Sequence, residues 1–163
     1  RQGSGLKVLS PGEADCIAIA GMGASTIISI LEDDTEVAQS AELLVLQPMA
    51  GAASLRAWLC SHGWQLAAEE LVDDAPHFYE IIAAKRGLAP VYSAAECAVG
   101  PLLLAQKHPL LDKQLERQLA TCRQLLENMG RSERARASEK YKEIEALKAE
   151  LEVLQNGKRS DSK

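Results

Sequence analysis

Trp64-Gln-Leu-Ala-Ala-Glu-Glu-Leu-Val72 and His77-Phe-Tyr-Glu-Ile-Ile-Ala-Ala84 are two strand-like runs joined only by Asp73-Asp74-Ala75-Pro76. A parallel crossover needs about a dozen residues or more, so a link this short forces the pair to run antiparallel, as a hairpin. Upstream the rhythm differs. Asp15-Cys-Ile-Ala-Ile-Ala20 is a short apolar run that ends at Gly21-Met22-Gly23, the pattern of a strand buried on both faces. Ala24 to Leu31 places Ile27, Ile28 and Leu31 on one helical face, and Glu32-Asp33-Asp34 ends that helix in solvent. Leu43-Leu-Val-Leu-Gln47 reads as a second buried strand stopped by Pro48. Ala52 to His62 reads as a helix with Leu55, Trp58 and Leu59 as its apolar stripe and Gly63 as its stop. The order is therefore strand, helix, strand, helix, strand, strand. That is an α/β sheet, parallel until its final strand reverses.

Downstream of the hairpin, residues 88–108 read as a connecting region with Pro90, Gly100 and Pro101. From Pro109 the pattern is helical. Leu115, Leu119, Cys122, Leu126 and Met129 form one heptad-like stripe, Gly130-Arg131-Ser132 breaks it, and Ile144, Leu147, Leu151 and Leu154 form a second. Two such helices predict an antiparallel, coiled-coil-like hairpin. The reading divides the chain into an α/β part over 1–87, a connection over 88–108, a helical hairpin over 109–155 and a polar, frayed tail over 156–163.

Charge follows the same division. Of 163 residues, the first hundred hold five Lys/Arg against thirteen Asp/Glu, and the remainder hold thirteen against ten. The α/β part is too acidic to serve as a nucleic-acid platform, whereas Arg131, Arg134, Arg136, Lys140 and Lys142 gather at the start of the second long helix. They suit phosphate contacts, and equally a solvated helical face. Cys16, Cys60, Cys97 and Cys122 have no metal-ligand spacing and read as buried, reduced thiols of a cytoplasmic protein. No metal site and no membrane span is expected. His62, His77 and His108 sit at a helix end, in a turn and before a proline, the places of surface or capping histidines. No Ser/His/Asp or Cys/His arrangement stands out as catalytic.

Several segments, in order, resemble one family. They are Arg1-Gln-Gly-Ser-Gly-Leu6, Ala14-Asp-Cys-Ile-Ala-Ile-Ala-Gly-Met-Gly23, Leu44-Val-Leu-Gln-Pro48, Leu55-Arg-Ala-Trp-Leu59 with Gly63-Trp64, and Phe78-Tyr-Glu-Ile81. Gly100-Pro-Leu-Leu-Leu104 and His108-Pro-Leu110 continue the series. The chain is similar to the bacterial tRNA adenine-N1-methyltransferases of the TrmK type. The resemblance implies the C-terminal half of a class I, Rossmann-like methyltransferase sheet with a terminal antiparallel strand, followed by a coiled-coil-like helical hairpin. It also implies S-adenosyl-L-methionine as cofactor, tRNA as partner, and methylation of N1 of the adenine at position 22. The opening on Arg1 then reads as an N-terminally truncated sequence that lacks the first strands and their cofactor loop, and the fragment is expected to be inactive alone.

The chemistry expected of the remaining residues follows the rule that ligands of open α/β sheets sit beyond the carboxyl ends of the strands. Gly21, Met22 and Gly23 stand there, either approaching the cofactor through bare backbone or simply making a tight strand-to-helix turn. The resemblance places Gly3, Ser4 and Gly5 at the adenine end of the cofactor, with Ser4 where the family carries an acidic or amide residue. Gln47 and Pro48 face the substrate side of the same cleft, where Met49 replaces the family's asparagine; capping of the strand end is the other role open to Gln47. Arg131, Arg134 and Arg136 are the candidate RNA contacts. Two further readings remain open at this level: a methyltransferase of another substrate, and a non-catalytic α/β module that presents a coiled coil to a partner.

Overall fold

The structure is a computed structural model in which residues 1–161 are described, the side chains of residues 158–161 excepted. Its elements are β1 (Cys16–Gly23), α1 (Ala24–Asp33), α2 (Thr35–Ser40), β2 (Leu43–Ala50), α3 (Ala52–Ser61), β3 (Trp64–Asp74) and β4 (His77–Arg86). There follow α4 (Ala94–Val99), α5 (Pro101–Ala105), α6 (Leu111–Met129), α7 (Glu133–Arg136) and α8 (Glu139–Asp161). The four strands lie in the order β1-β2-β4-β3. β1 and β2 are parallel, and β4 is antiparallel to both of its neighbours. The hairpin therefore does more than close the sheet. β4 inserts between β2 and β3, so β3 runs parallel to β1 and β2, and the reversed strand is internal.

Helices cover one face of this sheet. Ile17 and Ile19 of β1, Leu44 and Leu46 of β2, Ile82 and Ala84 of β4, and Trp64 and Leu66 of β3 form one core with Ile27, Leu31, Leu55 and Leu59 of α1 and α3. Alternation sends Cys16, Ala18 and Ala20 to the opposite face, where all three are exposed. The expectation that β1 is buried on both faces is thus corrected: no element among the described residues lies over its outward face. Cys16 is an exposed thiol for the same reason and Cys60 is half-buried, so only Cys97 and Cys122 are the buried thiols expected. Burial pushes the Cys97 and Cys122 thiols up from their ordinary range.

A second core joins the helical region to the hairpin. Leu71 of β3 and Phe78 of β4 pack with Ala98, Leu103, Leu111, Leu115, Leu119 and Cys122, and with Ile144 and Leu151 of α8. The two stripes expected from the sequence face each other across α6 and α8. Further readings are corrected. The connection at 88–108 contains two helices: Ser93 accepts a hydrogen bond from the Glu96 amide while Glu96 accepts from that of Ser93, a capping box that starts α4. Glu32-Asp33-Asp34 ends α1 at the surface as expected, but a further helix, α2, follows Asp34 at once and buries Val37 and Ala38. Pro48 does not stop β2, which pairs with β1 to Ala50. The β4 side of β2 is unpaired beyond Leu46, which is where a strand tolerates a residue without an N–H. α8 runs past Asn156 to Asp161; Ser162 and Lys163 of the expected tail lie outside the described residues.

One charged contact ties the two cores together. A bulge in β3 between Leu66 and Ala68 adds one residue, so Glu69 takes the inward side that Leu66 and Leu71 share. There it meets Arg56 of α3, fully buried, whose Nε donates to Glu69 Oε1 at 2.5 Å. Arg56 Nη1 donates to the carbonyl of Cys97 near the end of α4 at 2.9 Å. Glu69 Oε2 accepts from the Leu102 amide in the first turn of α5 at 2.8 Å. Each charge sits at the helix end whose dipole it complements.

Removing Glu69 from this buried cluster leaves Arg56 with Glu80 alone and the Leu102 amide without its acceptor. Glu69→Ala should therefore lower unfolding free energy by about 3–5 kcal/mol, against at most about 1 kcal/mol for Glu70→Ala, whose exposed carboxylate pairs with His108 and accepts from the Leu71 amide. Urea denaturation of the two variants checks the contrast. The exposed Cys16-Ala18-Ala20 face and the unpaired edge of β1 should make this chain associate. A sedimentation coefficient that rises with concentration is the expected result, and a constant monomer value would contradict it.

Candidate active-site cleft

The carboxyl ends of β1, β2 and β3 lie at one edge of the sheet, and the pairing of β1 with β2 departs from regular strand there. On β1, Ala20 pairs with Gln47 and Met22 with Pro48, so Gly21 is an extra residue at a bulge. Its φ of 75° is one that side chains resist. The Gly21 N–H donates to Gln47 Oε1 at 3.0 Å, while Gln47 Nε2 points to Met49 Sδ at 3.5 Å. Gln47 therefore braces the glycine turn, the strand-end role that the sequence left open. Met49 contributes an acceptor through its thioether.

The turn itself is bare. A Cβ built on Gly21 or on Gly23 would meet nothing within 4 Å. Met22 is exposed, and α1 begins directly after Gly23 with no side chain capping its first turn. Open space above an uncapped turn at the strand ends fits a ligand that approaches backbone closely.

The second wall comes from the hairpin. β4 pairs with β2 only from Ile82 onward, so β2 beyond Leu46 and β4 before Ile82 splay apart. Gln47, Met49, Pro76, His77, Phe78, Tyr79 and Arg117 line the resulting polar groove of about 200 Å³. α6 supplies Arg117, whose guanidinium lies 4.2 Å from the centre of the Phe78 ring, and Lys113, 5.6 Å from it. Lys113 is also paired with Asp73 at 2.5 Å. The sequence reading missed this groove, because a hairpin tip and a helix forty residues later carry no shared motif. The only available signal was the aromatic pair Phe78-Tyr79 beside a turn.

The other expected residues lie elsewhere. Gly3, Ser4 and Gly5 are exposed in a loop folded on itself, with Lys7 donating to the Ser4 carbonyl; the side chain nearest to Gly5 is Ile30, late in α1. Pro48 is buried. Arg131, Arg134 and Arg136 are exposed on and before α7, and Arg131 is paired with Glu127 at 3.5 Å. They lie past the far end of α6, about 20 Å along that helix from Arg117. The structure thus brings Gly21 and Gln47 into contact, and it does not bring the three arginines to them. Among the described residues no group of His, Cys, Asp and Glu is arranged to hold a metal ion.

Comparison with known proteins identifies the family. The sequence profile of the TrmK family, tRNA (adenine(22)-N(1))-methyltransferase, matches residues 1–156. The chain belongs to the TrmK family. It is 31% identical over 159 residues to the tRNA (adenine(22)-N(1))-methyltransferase of Bacillus subtilis, covering 94% of this chain and 66% of that protein. The crystal structure of the B. subtilis m1A22 tRNA methyltransferase TrmK superposes with a TM-score of 0.80 at 29% identity, over 95% of this chain and 69% of that one. A Streptococcus pneumoniae structure described as a tRNA (m1A22) methyltransferase in complex with S-adenosyl-L-methionine superposes with a TM-score of 0.77 at 26% identity, over 95% and 67%. The chain spans about two thirds of the length of these TrmK relatives. A Streptococcus agalactiae protein of the NADB-Rossmann superfamily superposes with a TM-score of 0.80 at 26% identity, over 95% of this chain and 66% of that one, which agrees with the Rossmann-like α/β fold expected from the sequence.

Gly21 and Gly23 should respond differently to one added methyl group. Gly23 has an ordinary extended backbone and open space, so Gly23→Ala should leave the melting temperature unchanged. Gly21→Ala forces an L-residue to positive φ and should cost about 1–2 kcal/mol. Thermal melts of the two variants check this.

Proposed function

We propose that the protein carrying this chain methylates N1 of an adenine in tRNA, at position 22, with S-adenosyl-L-methionine as methyl donor, and that it works in the cytoplasm. The observation that carries the reading is the bare glycine turn of β1, braced by Gln47 at the carboxyl edge of a sheet with an inserted antiparallel strand, in a chain of the TrmK family. Among the described residues no helix is long and apolar enough to cross a membrane.

Gly21, Met22 and Gly23 suit the cofactor by offering backbone where a side chain would intrude, with Met22 as an apolar wall. The loop of Gly3, Ser4 and Gly5 is proposed to reach the cofactor's adenine, and Arg131, Arg134 and Arg136 to meet tRNA phosphates. When bound, the cofactor supplies an electrophilic methyl group on sulfonium sulfur. Adenine N1 has its own lone pair, so this chain needs to orient the base and exclude water rather than supply a strong base. Gln47 and Pro48 form the side of the cleft on which the adenine would stand. The proton that becomes excess on the adenine after methylation leaves to solvent.

Gly23→Val places a branched side chain in the open space above the turn. In the full-length protein it should weaken cofactor binding at least tenfold while the protein remains folded, as isothermal calorimetry and a thermal melt would show together. Mass spectrometry of nucleosides from tRNA incubated with the wild-type full-length protein should reveal N1-methyladenosine. Its absence while cofactor is bound would sink the proposed reaction.

A further inference from the structure

We infer that the groove between the splayed ends of β2 and β4 is a nucleotide subsite: Arg117 takes a phosphate of the tRNA, and the rings of Tyr79 and His77 take an unstacked base beside it. This deepens the proposed function and rests on it. The separation of the strands is the first observation. Beyond Leu46 and before Ile82 the two strands no longer pair, so backbone donors and acceptors that face each other elsewhere in the sheet are available to the edge of a base.

The second observation is the state of the cations at this edge. Lys113 and Arg117 stand one turn apart on α6 and both face Phe78, yet they differ. Lys113 is occupied by Asp73 at 2.5 Å, whereas Arg117 has no carboxylate partner among the described residues. Arg117 is exposed, and the Phe78 ring 4.2 Å beneath it holds the guanidinium plane in place. A planar donor fork held over an aromatic ring is prepared for a phosphate, and little rotamer freedom remains to be lost on binding. By contrast, Arg131, Lys140 and Lys142 are all already paired with glutamates.

The third observation is aromatic. His77 and Tyr79 alternate along β4, and their ring centres are 5.8 Å apart. Both line the groove with Arg117, Gln47 and Met49. Aromatic faces beside an unpaired arginine are the usual means of holding an unstacked nucleotide. Methyl transfer to N1 requires one, because N1 of a paired adenine is engaged in the base pair. Gln47 links the two halves, since its side chain touches both the glycine turn and this groove.

The test uses the full-length protein with its tRNA and S-adenosyl-L-methionine. Arg117→Met keeps the stem over Phe78 and removes the charge; Arg117→Lys keeps a charge; Tyr79→Phe keeps the ring and Tyr79→Ala removes it. Arg123→Met, an exposed cation on the same helix facing Glu152, serves as the control. Arg117→Met should raise the KM for tRNA about five- to tenfold and flatten the salt dependence of tRNA affinity by about one counterion. Its cofactor affinity should match wild type. Arg117→Lys should recover part of the loss, Tyr79→Ala should resemble Arg117→Met, Tyr79→Phe should lose less than Tyr79→Ala, and Arg123→Met should resemble wild type. Photocrosslinking of 4-thiouridine-substituted tRNA to the wild-type protein should label the peptide containing His77–Arg86, a readout independent of any variant's folding. If the wild type methylates tRNA while Arg117→Met and Tyr79→Ala keep its KM and salt slope, or the crosslink falls elsewhere, the subsite is refuted and the methyltransferase reading stands. If the wild type binds cofactor but methylates no tRNA adenine, both fall.

Discussion

Arg56 and Glu69 hold two otherwise separate cores in one geometry. The sheet with α1 to α3 is one core, and the hairpin tip with α4 to α8 is the other. Arg56 reaches from the first, Glu69 stands on the strand they share, and their remaining polar atoms are spent on the Cys97 carbonyl and the Leu102 amide. The pair therefore caps the end of α4 and the start of α5 at the Gly100-Pro101 corner between them. Glu80 of β4 lies 2.9 Å from Arg56 Nη2 and adds a second carboxylate to one buried cation. Such a cluster is expensive to desolvate, and apolar residues of equal volume could stabilise as well. Its physical consequence is direction: an apolar contact tolerates sliding, whereas a guanidinium with three fixed oxygens around it sets the angle at which the helical region meets the sheet.

That angle matters because α6 delivers Arg117 and Lys113 to the hairpin tip. The acidic α/β part has no cation of its own at the strand ends. The helical region is thus part of the cleft, and its α8 is part of the core: Ile144 and Leu151 are buried against α6 and its neighbours. A deletion from Arg131 onward would expose that core along with any RNA contact it removed. Point substitutions at single exposed cations separate the two effects, and truncation does not.

The sheet was largely legible in the sequence because its signals are local. The link at Asp73–Pro76 is too short for anything but a hairpin, and the apolar runs at Cys16–Ala20 and Leu43–Gln47 have clear bounds. Which neighbour β4 chose was not legible, since strand order depends on packing between distant segments. The bulge at Leu66/Ala68 hid Glu69 in the same way. Strict alternation from Trp64 places Glu70 inward, and one inserted residue reverses that. Arg56 was hidden by its type. A charged residue beside Leu55 reads as a solvent face until its carboxylate partners, thirteen and more positions away, come into view. On the cleft, Gly21 and Gln47 were found because turns at strand ends are sequence features. Arg117 was not, because its role comes only from the tertiary fold.

The two halves of the cleft are built by opposite means, and this bears on how a methyl transfer could proceed without an obvious acid or base. At the glycine turn the chain has withdrawn its side chains, leaving backbone and space. Across the splay it has concentrated rings, an amide and a guanidinium with no carboxylate partner among the described residues. An electrophile with a positive sulfonium gains nothing from a cation beside it, and Arg117 stands on α6 across the groove, where the negative backbone of the nucleic acid would run. Gln47 sits between them, with its amide oxygen committed to Gly21 and its amide nitrogen to the weak thioether acceptor of Met49. A base arriving in the groove would compete with sulfur for that N–H and win, since a ring nitrogen or carbonyl is the better acceptor. Filling the groove would then draw on the same side chain that shapes the glycine turn, and substrate and cofactor would sense one another through a single glutamine.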